Sequence, residues 1–107
     1  MSNFTTFSHE SFGSVRTIML EGEPWFVAAD VCECLGIGND RQALNYLDYD
    51  EKDVLIGDYP DMNRTVTTII NESGLYTLIF RSRKLENKVF KRWITHGVLP
   101  SMRKTRG

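Results

Sequence analysis

No stretch of eighteen consecutive apolar residues occurs in this 107-residue chain, so no part of it is long and apolar enough to span a bilayer as a helix. The first ten residues, MSNFTTFSHE, lack both the basic start and the apolar core of a secretory signal. The expectation is a protein that stays in the cytoplasm of its host cell and has no membrane partner. Cysteine is scarce. Cys32 and Cys34 lie two apart on an expected helix, where their side chains diverge by roughly 200° and cannot close a disulfide; reduced thiols suit that compartment. Catalytic patterns are missing as well, with no G-x-S-x-G elbow, no H-E-x-x-H, no phosphate-binding loop and no dinucleotide fingerprint. His9 and His96 are isolated, which favours surface or capping roles over general-base chemistry. Residues 48–53, DYDEKD, only superficially resemble the opening of a calcium loop, because the required glycine and the closing Glu are absent. They read as a solvated acidic turn. The chain is therefore not expected to be an enzyme, and neither a cofactor nor a metal is expected.

What is present bounds the architecture. With 41% hydrophobic residues the chain suits one small domain with a modest core, and no repeat, low-complexity tract or linker divides residues 1–107. Charge is sharply divided along it. From Arg81 to the end, nine cations face the single acid Glu86, a net of +8; residues 1–80 carry four cations and thirteen carboxylates, a net of −9, so the total is −1. Asymmetry of this kind points to a polyanionic partner for the basic part, because Lys and Arg displace counterions from a phosphate backbone whatever its sequence.

Residues 4–7 read as a short strand, and 14–21 and 25–27 as a hairpin turned by Glu21, Gly22, Glu23 and Pro24. Trp25 and Phe26 are adjacent on a strand, so one of them faces inward. Residues 28–35 form the first helix, with Ala28, Val31, Cys32 and Leu35 on one face and Gly36 as its stop. Asn39 or Asp40 can cap a second helix over 41–47. Two readings of this pair stand: a helix-turn-helix presenting Arg41, Gln42 and Asn45 to a groove, or an αα-corner that buries Ala43, Leu44 and Leu47. Residues 54–56 and 65–70 make a further antiparallel hairpin. A third helix follows, in which Leu75, Leu78 and Ile79 fall at helical spacing and Glu72 or Ser73 can cap the exposed amides. The last helix spans 84–95, where Leu85, Val89 and Trp93 form a stripe that Phe90 and Ile94 widen, with Lys84, Lys88, Lys91 and Arg92 opposite. Gly97 is its stop, His96 lies near its end, and Pro100 keeps it from resuming. The fold class is α+β: antiparallel β-hairpins packed on three to four short helices.

Several of these residues also form an ordered set. The stretch ESGLY, then Phe90, Lys91, Arg92 and Trp93, then VLPSMRKT at 98–105 resembles the Bro-N domain, found at the N-terminus of bacteriophage and prophage antirepressors and of baculovirus Bro proteins. Trp25, Phe26, Val27, Ala28, Ala29, Asp30 and Val31, with Leu35 and Gly36, are similar to the family's aromatic strand running into a D-V helix that ends in L-G. Together the matches span nearly the whole chain. The family tail commonly continues K-T-G-G-Y, whereas here Lys104 and Thr105 are followed by Arg106 and Gly107. Both the N-terminal part of a longer antirepressor and a small complete protein fit that departure.

The resemblance implies double-stranded DNA as partner and a transcriptional role in a phage-bearing bacterial host. In that reading Arg81, Arg83, Lys84, Lys88, Lys91, Arg92, Arg103, Lys104 and Arg106 hold phosphates, while Arg41, Gln42 and Asn45 read bases. Phosphate contacts position a protein on DNA without specifying sequence. The alternative is a protein-interaction module whose acidic part captures a phage repressor without touching DNA. Nothing in the sequence marks a dimer surface, which leaves homo-oligomers open.

Overall fold

The computed structural model describes residues 4–58, 64–82 and 86–104. Five strands, β1 (Thr5–His9), β2 (Gly13–Leu20), β3 (Glu23–Val27), β4 (Lys52–Asp58) and β5 (Arg64–Asn71), form one antiparallel sheet in the order β1-β2-β3-β5-β4. The helices are α1 (Ala28–Cys34), α2 (Asp40–Leu44), α3 (Glu72–Arg81), α4 (Asn87–Trp93) and α5 (Leu99–Lys104), with a 3-10 turn at Tyr49–Glu51 before β4. This is the α+β domain that the hairpin and helix patterns predict. Both expected hairpins are present, as β2–β3 and β4–β5, and β1 pairs with β2 as a third. The β3–β5 pairing, with Phe26 opposite Ile70, joins them into one sheet.

Turn chemistry sets the hairpins. Leu20 and Glu23 are joined by Glu21 and Gly22, whose φ values of 51° and 80° are both positive, as a two-residue turn matched to strand twist requires. Side chains then alternate across the sheet. Val15, Thr17, Phe26 and Ile70 fall on one face by register and are fully buried. Against that face the core gathers Val31, Leu35, Leu75, Leu78, Phe90, Ile94 and Leu99 from the helices. Of the adjacent aromatic pair, Phe26 is the one in the core and Trp25 is half-buried.

Helix α1 ends as expected, at a left-handed Gly36 (φ 72°). The Ile37 amide donates to the Cys32 carbonyl (2.8 Å) and the Gly36 amide to that of Glu33 (3.1 Å), the paired bonds of a Schellman stop. Cys32 and Cys34 are both free and buried; burial first, and the nearby Asp40 charge second, push the Cys32 thiol up to about 11. Strand β2 is tied to α1 by Asp30, whose carboxylate accepts from the Arg16 backbone amide (2.9 Å) and from its guanidinium at 2.8 and 3.0 Å. Among the candidate caps for α2, Asn39 fills the position, accepting from the Gln42 amide at 3.0 Å.

The cap of α3 differs from expectation. Neither Glu72 nor Ser73 caps it; Asn71 does, accepting from the Gly74 amide (2.9 Å) while its own amide donates to the Asp50 carbonyl (2.9 Å). Ser73 instead donates its hydroxyl to Glu51 (2.6 Å). The acidic turn is thereby built into the fold, since Glu51 also accepts from the Asp48 amide (2.7 Å) in a reciprocal capping box. Both bonds, the Ser73 one larger, hold the Glu51 carboxyl below its ordinary range.

Candidate nucleic-acid interface

The basic third is built on one long helical rod. Its α4 half begins at Asn87, later than the expected start; residues 83–85, with Arg83 and Lys84, lie outside the described residues, as does Arg106. The stripe is also rotated by one residue. Phe90 and Ile94 are fully buried, whereas Val89 is 52% exposed and Trp93 half-buried. An i, i+4 pattern accommodates both registers, and the aromatic neighbours choose between them. Phe90 meets the Phe12 ring edge-on at 5.3 Å, while His9 lies 4.8 Å from Phe12 and 5.1 Å from Trp93. His9 is thus a packing residue that pins the β1–β2 turn to α4.

Gly97 does not stop this helix and Pro100 does not end it. The chain passes through a π turn, Ile94–Val98, directly into α5, with helical dihedrals at Trp93, Ile94 and Leu99. The Leu99 amide reaches the Ile94 carbonyl, one residue further back than in an α-helix. Widening the ladder just before Pro100 relieves the two problems proline brings, a missing N–H and a ring that crowds the preceding turn. Burial of Val98, Leu99 and Met102 stabilises the continuation. His96 therefore sits within a helical rod rather than at its C-terminus.

With the apolar side against the sheet, Lys88, Lys91 and Arg92 of α4 and Arg103 and Lys104 of α5 are exposed. Three of the predicted cations meet partners on α3 or just after α2. The Arg81 guanidinium lies over the Tyr46 ring at 3.5 Å, and the Lys91 ammonium is 5.9 Å from the Tyr76 ring, both within cation–π reach. Arg103 donates to Glu72 (2.9 Å), whose other oxygen accepts from the Tyr76 hydroxyl (3.1 Å). Burial, then the Glu72 bond, raises the Tyr76 phenol, which keeps it a donor. Arg103 is thereby partly neutralised, whereas Lys88, Lys91, Arg92 and Lys104 have no carboxylate partner among the described residues.

Arg41, Gln42 and Asn45 are exposed on or just after α2. The helix has five residues, and Ala43 and Leu47 are buried with Leu44 packed against the core, the burial the αα-corner reading expects. Asn45 precedes Tyr46, so the Arg81–Tyr46 stack brings the end of α2 to the end of α3. Pattern reading missed Tyr46, Tyr76 and Phe80. They line an open cleft of about 570 Å³ together with Ser73, Thr77 and Arg81. A signal was available: Tyr76 and Phe80 stand i, i+4 apart, off the Leu75, Leu78 and Ile79 stripe.

Among the described residues, no group of three or more His, Cys, Asp or Glu side chains could hold a metal ion, and no helix is long and apolar enough to cross a membrane. Comparison with known proteins adds the family. Residues 14–100 match the model of the BRO family N-terminal domain. An uncharacterized protein of Haemophilus influenzae is 39% identical over 105 residues, covering 95% of this chain and 51% of that protein, so the chain spans about half the length of this curated relative. No solved structure matches significantly. The matched span includes α1, the α3 cap and most of the basic rod, the elements that carry the motifs, and on these grounds the chain belongs to the BRO family and carries its N-terminal domain, Bro-N.

Proposed function

We propose that this domain is the DNA-binding module of an antirepressor-like transcriptional regulator of phage or prophage type, acting on double-stranded DNA in the bacterial cytoplasm. The observation that carries the reading is a segment with nine cations and one acid, of which Lys88, Lys91, Arg92 and Lys104 stand exposed along the α4–α5 rod. An ordinary solvated face mixes signs. Lys88, Lys91, Arg92 and Lys104 hold phosphates along the rod, joined by Arg81 and by Arg103 once DNA competes for it; Arg83, Lys84 and Arg106 extend the same charge in sequence. Arg41, Gln42 and Asn45 supply base readout, Gln and Asn being suited to bidentate contact with adenine. Family membership supports the regulatory setting, and the remaining half of a relative's length leaves room for an effector domain beyond this one.

The test is fluorescence anisotropy with random duplex DNA between about 50 and 200 mM salt. About six phosphate contacts lose on the order of a thousandfold in affinity over that range. Lys88→Ala with Lys91→Ala weakens binding to all sequences alike and flattens the log–log salt slope by about 2, while Asn45→Ala changes sequence preference. Absence of binding even at low salt would remove the DNA reading and transfer the function to capture of a repressor protein.

A further inference from the structure

Phe80 is 88% exposed on the last turn of α3, beside Ile79, which is buried. Its exposure does not come from a loose helix. Leu75 and Leu78 are fully buried, Asn71 caps the start, and the end is held by Ser82, which donates to the Leu35 carbonyl (3.2 Å), and by Asn87, which donates to the carbonyls of Ile79 and Ser82 (3.4 and 3.3 Å). The ring is thus presented rigidly to solvent. The cleft that it lines also holds Arg81, stacked over Tyr46, and Tyr76, whose ring has the Lys91 ammonium 5.9 Å away. The cleft lining of Tyr46, Ser73, Tyr76, Thr77, Phe80 and Arg81 contains no carboxylate. The nearest acids behind it are engaged, Glu72 by Arg103 and Tyr76, and Glu51 by Ser73 and the Asp48 amide.

An exposed aromatic in a carboxylate-free cleft with Arg81 in its lining and Lys91 near the Tyr76 ring matches one feature of duplex DNA, an opened base step with a phosphate on each side. We infer that Phe80 is a wedge that inserts at a base step of bound duplex DNA, with Arg81 and Lys91 on the flanking phosphates; this rests on the duplex reading above. Insertion requires partial unstacking and a kink. Pyrimidine–purine steps open most readily, so the wedge makes Phe80 a specificity-determining residue that selects such steps through deformability rather than by hydrogen bonds to bases. A protein partner could also cover an exposed Phe, but a lining that contains Arg81 and no carboxylate favours the polyanion.

The experiment uses the whole chain and two short duplexes of equal composition, one carrying 2-aminopurine at its TpA steps and one with the same probe at ApA steps. Wild-type protein raises probe fluorescence several-fold on the first duplex and binds it on the order of tenfold tighter than the second. Phe80→Ala loses both the rise and the preference, while its salt slope and circular dichroism stay those of wild type; Phe80→Trp retains both. Binding whose fluorescence rise and step preference are unchanged in Phe80→Ala would overturn the wedge and leave the phosphate reading intact, assigning the exposed ring to a protein contact. No binding by wild-type protein would overturn both.

Discussion

Gly74 lies where α3 passes over the acidic turn. A Cβ built there would sit 2.9 Å from the Glu51 carbonyl oxygen and 3.3 Å from the side chains of Ile70 and Leu47. The nearest atom belongs to the backbone and cannot swing aside. Gly74→Ala gains about 1 kcal/mol of helix propensity but forces apart a fitted contact, which typically costs about 1–3 kcal/mol, so the variant is expected to be less stable by about 1 kcal/mol. Thermal unfolding by circular dichroism checks this, and a melting temperature equal to or above wild type would show that the turn yields. The glycine in ESGLY is legible as a motif letter. Its reason is not, because Glu51 approaches from 23 positions earlier in the chain. Arg81 illustrates the same limit. Its charge was visible in the sequence, whereas its Tyr46 partner, 35 positions back, is fixed only by how α2 and α3 pack.

Elements were read well where local chemistry decides them. The Gly36 stop, the Glu21–Gly22 turn and the Asn39 cap follow from residues within one turn of each other. The α3 cap is a local exception, with Asn71 in place of Glu72 or Ser73, and two further features are decided at long range. Gly97 and Pro100 read locally as an end, yet burial of Val98, Leu99 and Met102 carries the helix through a π turn. The β3–β5 pairing joins hairpins about forty residues apart, which no local period encodes. The junction of the 3-10 turn with α3 gives a pH prediction. Because the folded Glu51 carboxyl is depressed by the Ser73 and Asp48 bonds, its contribution is present above the unfolded value of about 4.3 and is lost as pH falls through the folded one. Ser73→Ala should therefore reduce stability by about 0.5 kcal/mol near neutrality and by less at pH 3, as read by urea unfolding at the two pH values. An undiminished difference at pH 3 would mean that the Ser73 contribution does not depend on the Glu51 charge.

At the scale of the molecule, the near-zero total charge conceals opposed parts. The rod from α4 to α5 exposes Lys88, Lys91, Arg92 and Lys104, while the turn leading into β4 and the start of that strand expose Asp48, Asp50 and Asp53. The domain measures 42 × 35 × 27 Å, several times the screening length of about 10 Å at 0.1 M salt. The exposed basic surface of one copy and the exposed acidic surface of another can meet at contact distance, where screening is least. Near the pI of about 6.1 no net repulsion opposes that meeting. Sedimentation velocity should show reversible association at about 20 mM salt that dissolves by about 300 mM, where the screening length falls to roughly 6 Å. Short duplex DNA added at low salt should dissolve it as well, since a phosphate backbone competes for the same cations. Identical sedimentation at both salt concentrations would show that the charge division does not act between copies. Association that salt dissolves but DNA leaves untouched would place the contact away from the α4–α5 rod.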